Sequence, residues 1–248
     1  MSDRKNANII KEMLQLYEDV HGIYGYRRMT MNINRIMSTK YNHKRIYRLM
    51  KLINMKSVIR KKKRNYTPNT PQITAENVLN REFHADKPNQ KWLTDVTEFK
   101  LANGQKAYLS AILDLGDRSI ISYVLGHSNN NQLVFETFDL AVASNPDAEP
   151  IFHSDRGFQY TSKQFKSKLD SINAIQSMSR VSQCIDNGPM EGFWGILKSE
   201  MYYLKKFHTY EELKQAIDEY IDFYNIKRLQ KNLKGLTPME YRSQALAS

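Results

Sequence analysis

The chain has 248 residues, 41% of them hydrophobic and 25% charged, with a formal charge of +11; this is enough apolar mass for one or two globular domains with a core. Apolar runs are short, Ser119 to Gly126 being typical, so no membrane span is expected, and the opening Met1-Ser2-Asp3-Arg4-Lys5-Asn6 lacks the apolar core of a signal peptide. Cys184 is the single cysteine, which excludes an internal disulfide and any zinc site needing two thiolates, and fits a reducing cytoplasm.

The charge is concentrated. Residues 1–65 hold 17 Lys/Arg against 4 Asp/Glu, a net +13, while residues 66–248 hold 20 against 22, a net −2. A positive block beside a near-neutral remainder predicts a nucleic-acid grip joined to something else. A solubilising or membrane-surface tail is the competing reading, and helical periodicity in the block argues against it.

Ile9, Ile10, Met13, Leu16, Tyr17 and Val20 fall at helical spacing and predict a first helix closed by Gly22. Tyr26, Met29, Ile33, Ile36 and Met37 predict a second. Asn42 can cap a third with the apolar face Ile46, Tyr47, Met50 and Ile53. The short turn between the last two is the layout of a helix-turn-helix. Lys44, Arg45, Arg48 and Lys51 lie off the third helix's apolar stripe, where they can reach a major groove and its phosphates. The run Arg60-Lys61-Lys62-Lys63-Arg64 is expected to touch the DNA backbone rather than read bases. A small structural bundle shares this pattern, and the charge segregation favours DNA binding. We therefore assign 1–65 as a basic helix-turn-helix DNA-binding domain and 66–82, with Pro68, Pro71 and many small polar residues, as a linker.

From residue 83 the pattern changes. Leu93 to Phe99 alternates around Asp95, and Ala107 to Leu115 and Arg118 to Leu125 are two strand-like runs joined at Gly116-Asp117. Leu133 to Val142 predicts a helix, Pro150 to Ser154 a strand ending at Asp155, Thr161 to Leu169 a helix and Ala174 to Met178 a strand. After a loop, Arg180 to Gly188, comes a helix with the stripe Met190, Phe193, Trp194, Leu197, Met201 and Leu204. Asp186 to Pro189 starts it, Glu191 lies in its first turn, and Lys198 follows two turns along the same rail, past small Gly195. Thr209 to Glu212 is a capping box before a helix striped by Leu213, Ile217, Tyr220, Ile221 and Tyr224, and Thr237 to Glu240 is another before a short terminal helix. Strands first, then strands alternating with helices, predict a mixed α/β sheet with helices on its faces.

Asp95, Asp155 and Glu191 stand where packing alone does not call for acids: inside a strand, at a strand end, and at a helix start. Open α/β sheets gather their sites at such places. Three carboxylates brought together repel unless a cation neutralises them, and hard oxygen donors suit Mg²⁺ or Mn²⁺. Two such ions about 3.5–4 Å apart can activate a nucleophile and stabilise the leaving oxygen of a phosphoryl displacement. A solvated Glu191 and Lys198 on an amphipathic helix is the bland alternative. Asp114 and Glu98 read as turn or surface acids, and Trp92 and Trp194 as core.

These residues carry a resemblance. Asp95, Asp155 and Glu191, with 35 residues between the last two, are similar to the D, D-35-E triad of transposases and retroviral integrases. Asn89 to Thr97, His153 to Gly157 with Gln159 to Thr161, and Gln176 to Arg180 with Asp186-Asn187 leading to Glu191 resemble successive motifs of the IS3-family insertion-sequence transposases. Tyr24 to Arg28, Asn42 to Met50, Tyr224-Asn225, Arg228 and Leu236 to Pro238 extend the resemblance to roughly residues 20–245, closest to the second-frame product, OrfB.

The resemblance implies an RNase H-like DDE integrase core over 83–248 and metal-dependent DNA cleavage and strand transfer. Two Mg²⁺ or Mn²⁺ ions held by Asp95, Asp155 and Glu191 would expose a 3′-hydroxyl at the element's end and activate it to attack another phosphodiester, with no covalent protein–DNA intermediate. It implies that Lys198 touches the DNA end and that His153 and Arg156 orient Asp155 or its loop. Partners would be the terminal inverted repeats and target DNA, further copies of the chain, and the upstream-frame product OrfA, in a bacterial cytoplasm. The family's frameshifted full-length protein gains an upstream helix-turn-helix and leucine zipper, so a partial or regulatory product is also implied. Two departures stand out: Arg180-Val181-Ser182-Gln183-Cys184 lacks the usual lysine and glycine, and Gly192 replaces a serine. Alternative readings are a non-catalytic DNA-binding regulator and an RNase H-fold nuclease or retroviral-type integrase; one cysteine cannot build the His/His/Cys/Cys zinc module of the last.

Overall fold

Apolar strands between residues 91 and 178 build one mixed sheet among the described residues. In the computed structural model, which describes residues 2–59, 79, 82–179 and 187–247 with side chains from Asn6 onward, β1 (Lys91–Lys100), β2 (Lys106–Asp114), β3 (Ile120–Gly126), β4 (Ile151–Ser154) and β5 (Ile175–Met178) lie in the order β3-β2-β1-β4-β5. The first three form an antiparallel meander, and β4 and β5 add parallel to β1 through helical crossovers. Successive β1 side chains point to opposite faces. Trp92 enters a core with Phe138 of α4 (Asn131–Ser144) and Phe165 of α5 (Lys163–Asp170). Leu93 enters the other, with Phe193 and Leu197 of α6 (Gly188–Glu200) and Ile217 and Ile221 of α7 (Tyr210–Asp222). Both predicted capping boxes are formed, at Thr209 for α7 and at Thr237 for α8 (Pro238–Leu246).

Ahead of the sheet, α1 (Ser2–Asp19), α2 (Tyr26–Ile36) and α3 (His43–Leu52) enclose their own core of Ile9, Met13, Met29, Ile33, Ile46 and Met50. The Asn42 side chain caps α3 by accepting from the Lys44 amide at 2.8 Å. Three stripe residues differ from expectation. Tyr47 is 46% exposed and Leu49 is buried in its place, because one residue beyond Ile46 is turned about 100° away from the core line. Ile36 is exposed at the end of α2. Leu204 is exposed because α6 ends at Glu200 and Tyr202–Leu204 is a 3₁₀ turn on a new axis.

Asp114 is neither a turn acid nor a surface acid. It is fully buried, and Arg242 of α8 donates to Asp114 Oδ2 (3.0 Å) and to equally buried Asp117 Oδ2 (2.6 Å). The guanidinium ties the β2–β3 turn to the last helix and to Asn89. Burial, then the Asp117 charge, pushes the Asp114 carboxyl up to about 6. Glu98 is a surface acid paired with Lys106, and Trp92 is core. Leu79, within the stretch assigned as a linker, is 2% exposed and its amide donates to Ser177 Oγ.

The three-helix part meets the core through polar anchors. Arg28 Nη1 donates to Glu200 Oε1 at 3.1 Å, Arg35 pairs with Glu240, and Tyr24 lies 6.3 Å from Phe223, ring to ring. Among the described residues no helix is long and apolar enough to cross a membrane.

Candidate active site

Strand register places the first two carboxylates together. β1 pairs parallel with β4 through Leu93 and His153; Asp95 stands two residues further along β1, and Asp155 is the first residue past the end of β4, near enough for its charge to act on Asp95. Asp155 is exposed where β4 ends, and its Oδ1 accepts from the Gly157 amide at 2.9 Å. Gly157 lets these side chains close in: a Cβ there would lie 2.7 Å from Gln159 Oε1 and 3.1 Å from Asp155 Oδ1, so both would have to shift. Below the loop, fully buried His153 is fixed at both ring nitrogens, 2.9 Å from Ser177 Oγ and 3.0 Å from Ser179 Oγ. Arg156 Nε donates to the Ser179 carbonyl at 2.8 Å. Both residues thus brace the turn that presents Asp155.

Helix α6 lies along β1 and brings the third carboxylate to the same edge. Asn187 Nδ2 donates to the Thr94 carbonyl (3.0 Å), Trp194 Nε1 to Asp95 Oδ2 (3.0 Å), and Lys198 Nζ to the Glu98 carbonyl (3.1 Å). Glu191 is exposed, one turn before Trp194 on this rail. Trp194 is core, as expected of its stripe position, but its indole also holds Asp95. Nothing in the helical spacing signals that hydrogen bond, because it depends on the tilt of α6 against β1. The Asn187 Oδ1 is buried with no partner among the described residues.

Asp95 is pushed up to about 6, first by burial and then by the Asp155 charge, with Glu191 adding a smaller push; the Val96 amide and the Trp194 indole oppose it. The site therefore gathers more negative charge than its own hydrogen bonds offset. Among the described residues, no three His, Cys, Asp or Glu side chains close around one point as the ligand set of an ion. Asp155 and Glu191 both act on Asp95 through their charges, and Glu191 is exposed beside the pair. Hard oxygen donors and uncompensated negative charge fit a divalent cation at the Asp95–Asp155 pair. Lys198 is half-buried, its ammonium 5.2 Å from the Phe99 ring centre; burial lowers its pKa, and Asp95 and Glu98 pull it back up.

Of the residues expected to meet DNA, Lys44 and Arg48 are exposed on α3. Arg45 is half-buried, bonded to Asn6 Oδ1 at 2.9 Å and stacked over Tyr41 at 4.8 Å. Arg60, Lys61, Lys62, Lys63 and Arg64 lie outside the described residues, as do the divergent loop 180–186 and Cys184.

Comparison with known proteins follows the same division. Residues 3–63 match an HTH-like domain, and residues 85–184 and 191–246 match two models described as integrase core domain. Over 242 residues the chain is 43% identical to InsK of insertion sequence element IS150 from Escherichia coli (strain K12), covering 97% of this chain and 84% of InsK. It is 32% identical over 175 residues to the transposase InsF of insertion sequence IS3fB from the same organism, covering 70% of this chain and 60% of InsF. The chain belongs to the IS3-family insertion-sequence transposases. Its fold is that of the HTLV-2 integrase catalytic core domain, solved in complex with magnesium: TM-score 0.51 at 21% identity, over 63% of this transposase and 97% of that core. The expected mixed sheet with flanking helices, preceded by a helical HTH-like part, is therefore the observed one.

Proposed function

We propose that this transposase is a divalent-metal-dependent DDE polynucleotidyl transferase in which Asp95, Asp155 and Glu191 are the catalytic carboxylates. The observation that carries the reading is the placement of Asp95 on β1 beside Asp155 just past the end of neighbouring β4, with Asp95 raised first by burial and then by the Asp155 and Glu191 charges. The three carboxylates would hold Mg²⁺ or Mn²⁺, two ions in the full site. Bound there, the metal supplies a polarised phosphodiester and an activated water or 3′-hydroxyl.

The chain's own residues account for the rest. Trp194 and the Val96 amide fix both oxygens of Asp95. His153, Arg156 and Gly157 fix the loop of Asp155. Glu191, exposed in the first turn of α6, completes the set when the other two carboxylates are neutralised. Lys198 lies further along the rail and contacts the DNA end. A Cβ at Gly192 or at Gly195 would meet nothing within 4 Å, so neither glycine serves packing, and together they leave a low surface beside Glu191 for that end.

The partition is a DNA-binding domain at 1–65, a linker at 66–82 and the catalytic core at 83–248. Lys44, Arg45, Arg48 and the run Arg60 to Arg64 grip DNA in the first; Arg45 does so from its stacked place on Tyr41. The substrates are the element's inverted-repeat ends and target DNA, in a bacterial cytoplasm. A multimer of the chain, with or without the upstream-frame product OrfA, holds the two ends. The test is incubation of the purified chain with labelled inverted-repeat duplexes. Mg²⁺ or Mn²⁺ should support nicking and joining, and chelation should stop both. Joining that persists under chelation defeats the reading.

A further inference from the structure

Between the three-helix part and the core lies a cleft of about 620 Å³ that the carboxylate site does not use. One wall is the turn after α2. Asn34 rigidifies it: its Nδ2 donates to the Tyr41 carbonyl (3.0 Å), and its Oδ1 accepts from the Tyr41 amide (2.7 Å) and from Thr39 Oγ1 (3.2 Å). Lys40 projects from this turn. The opposite wall is the loop 230–236, closed by the Gln230–Leu236 bridge and by the Gly235 amide donating to the Gln230 carbonyl (3.0 Å). Lys234 and Gly235 both take positive φ there, +57° and +83°, which turns the chain sharply and presents the Lys234 side chain. Arg35, bridged across the seam to Glu240, also lines the cleft.

Arg35, Lys40 and Lys234 line this cleft and no acid does. Arg35 has an acidic partner; Lys40 and Lys234 are exposed and have none among the described residues. Lys231 belongs to the same loop, and there is no acid between Phe223 and Thr237. Lys231 and Lys234 lie in the part of the chain whose net charge is negative, so bulk composition does not explain their side of the cleft. Two ordered walls that each offer an unneutralised ammonium to one open cleft suit a polyanion whose charges repeat along a line.

We propose that this cleft takes the phosphodiester backbone of duplex DNA, with Lys40 and Lys234 each neutralising one phosphate, so that a single strand touches both the three-helix part and the core. This rests on the reading that DNA is the partner. It adds that the contact is sequence-independent and bridges the two parts.

The test uses the full chain, fluorescence anisotropy over a salt series, and two labelled duplexes, an inverted-repeat end and an unrelated sequence. Each neutralised phosphate contributes about 0.9 to the slope of log affinity against log salt. Lys40→Ala and Lys234→Ala should each lower that slope by about 1, and the double variant by about 2, equally on both duplexes. Lys40→Arg should keep it, and Lys87→Ala, removing an exposed lysine outside the cleft, should leave it unchanged. A double variant with the wild-type slope, or a Lys87→Ala variant that loses as much, overturns the cleft assignment while the DNA reading stands. A wild-type chain that binds neither duplex overturns both.

Discussion

Glu200 is the buried hinge-pin of the structure, and replacing it should be the most destabilising single change at the seam. Its carboxylate is 4% exposed and accepts four hydrogen bonds: Arg228 Nε (2.9 Å), Arg228 Nη2 (2.8 Å), Tyr220 Oη (2.9 Å) and Arg28 Nη1 (3.1 Å). The negative charge stands at the C-terminal end of α6, where the helix dipole disfavours it, so the two guanidiniums must offset both that and desolvation. Arg228 is 3% exposed; burial alone would lower its pKa, and hydrogen bonding to Glu200 holds it above the ordinary value. Glu200→Ala leaves that cation buried and unpaired, a change that costs about 3–5 kcal/mol. At about 2–4 °C per kcal/mol for a chain of this size, the melting temperature should fall by roughly 6–20 °C. Arg28→Ala should cost far less, about 1 kcal/mol, because that side chain is 28% exposed and contributes one of the four bonds. Burial and the like charge of Arg228 already lower the Arg28 pKa. Differential scanning calorimetry of the three proteins at neutral pH decides. If Glu200→Ala melts within about 2 °C of wild type, or Arg28→Ala proves the more damaging, the buried pair is not the anchor described.

Arg242→Ala should strand Asp114 and Asp117, with a pH signature. Asp114 is raised from 3.8 to about 6, so its favourable contribution is full below the unfolded value and lost as pH rises through about 6. The variant should therefore melt nearest to wild type near pH 4 and furthest from it above pH 6; a pH-independent gap refutes this. At the catalytic edge Asp95 is protonated below about 6 and charged above it. Calorimetric Mn²⁺ affinity should fall up to about tenfold per pH unit once below that value, and a flat profile from pH 5 to 8 contradicts the assignment. Lys198→Ala should lower strand joining by at least about tenfold while barely moving the melting temperature, since the half-buried ammonium is held by a single hydrogen bond among the described residues, to the Glu98 carbonyl. Equal loss of stability and joining would make Lys198 a packing residue.

Much of this fold is legible in the sequence. Alternation around Asp95 and the short apolar runs that follow located the five strands of the described residues, and the spacing of Asp155 and Glu191 together with the surrounding motifs pointed to the family. What helical periodicity cannot carry is how elements tilt against one another. It missed the indole bond from Trp194 to Asp95 and the burial of Asp114 under Arg242, each decided by a residue distant in sequence. Charge counting failed in the same way at the cleft: residues 66–248 sum to −2, yet folding sets Lys234 opposite Lys40 with no acid in the lining.

The central claim is that Asp95, Asp155 and Glu191 act as one metal-holding set. Its most direct test is strand joining by Asp155→Asn and Glu191→Gln on inverted-repeat ends in Mg²⁺, beside wild type and with DNA binding measured in parallel. Both variants should bind DNA as wild type does and join none of it. Joining by either variant at the wild-type rate would contradict the account.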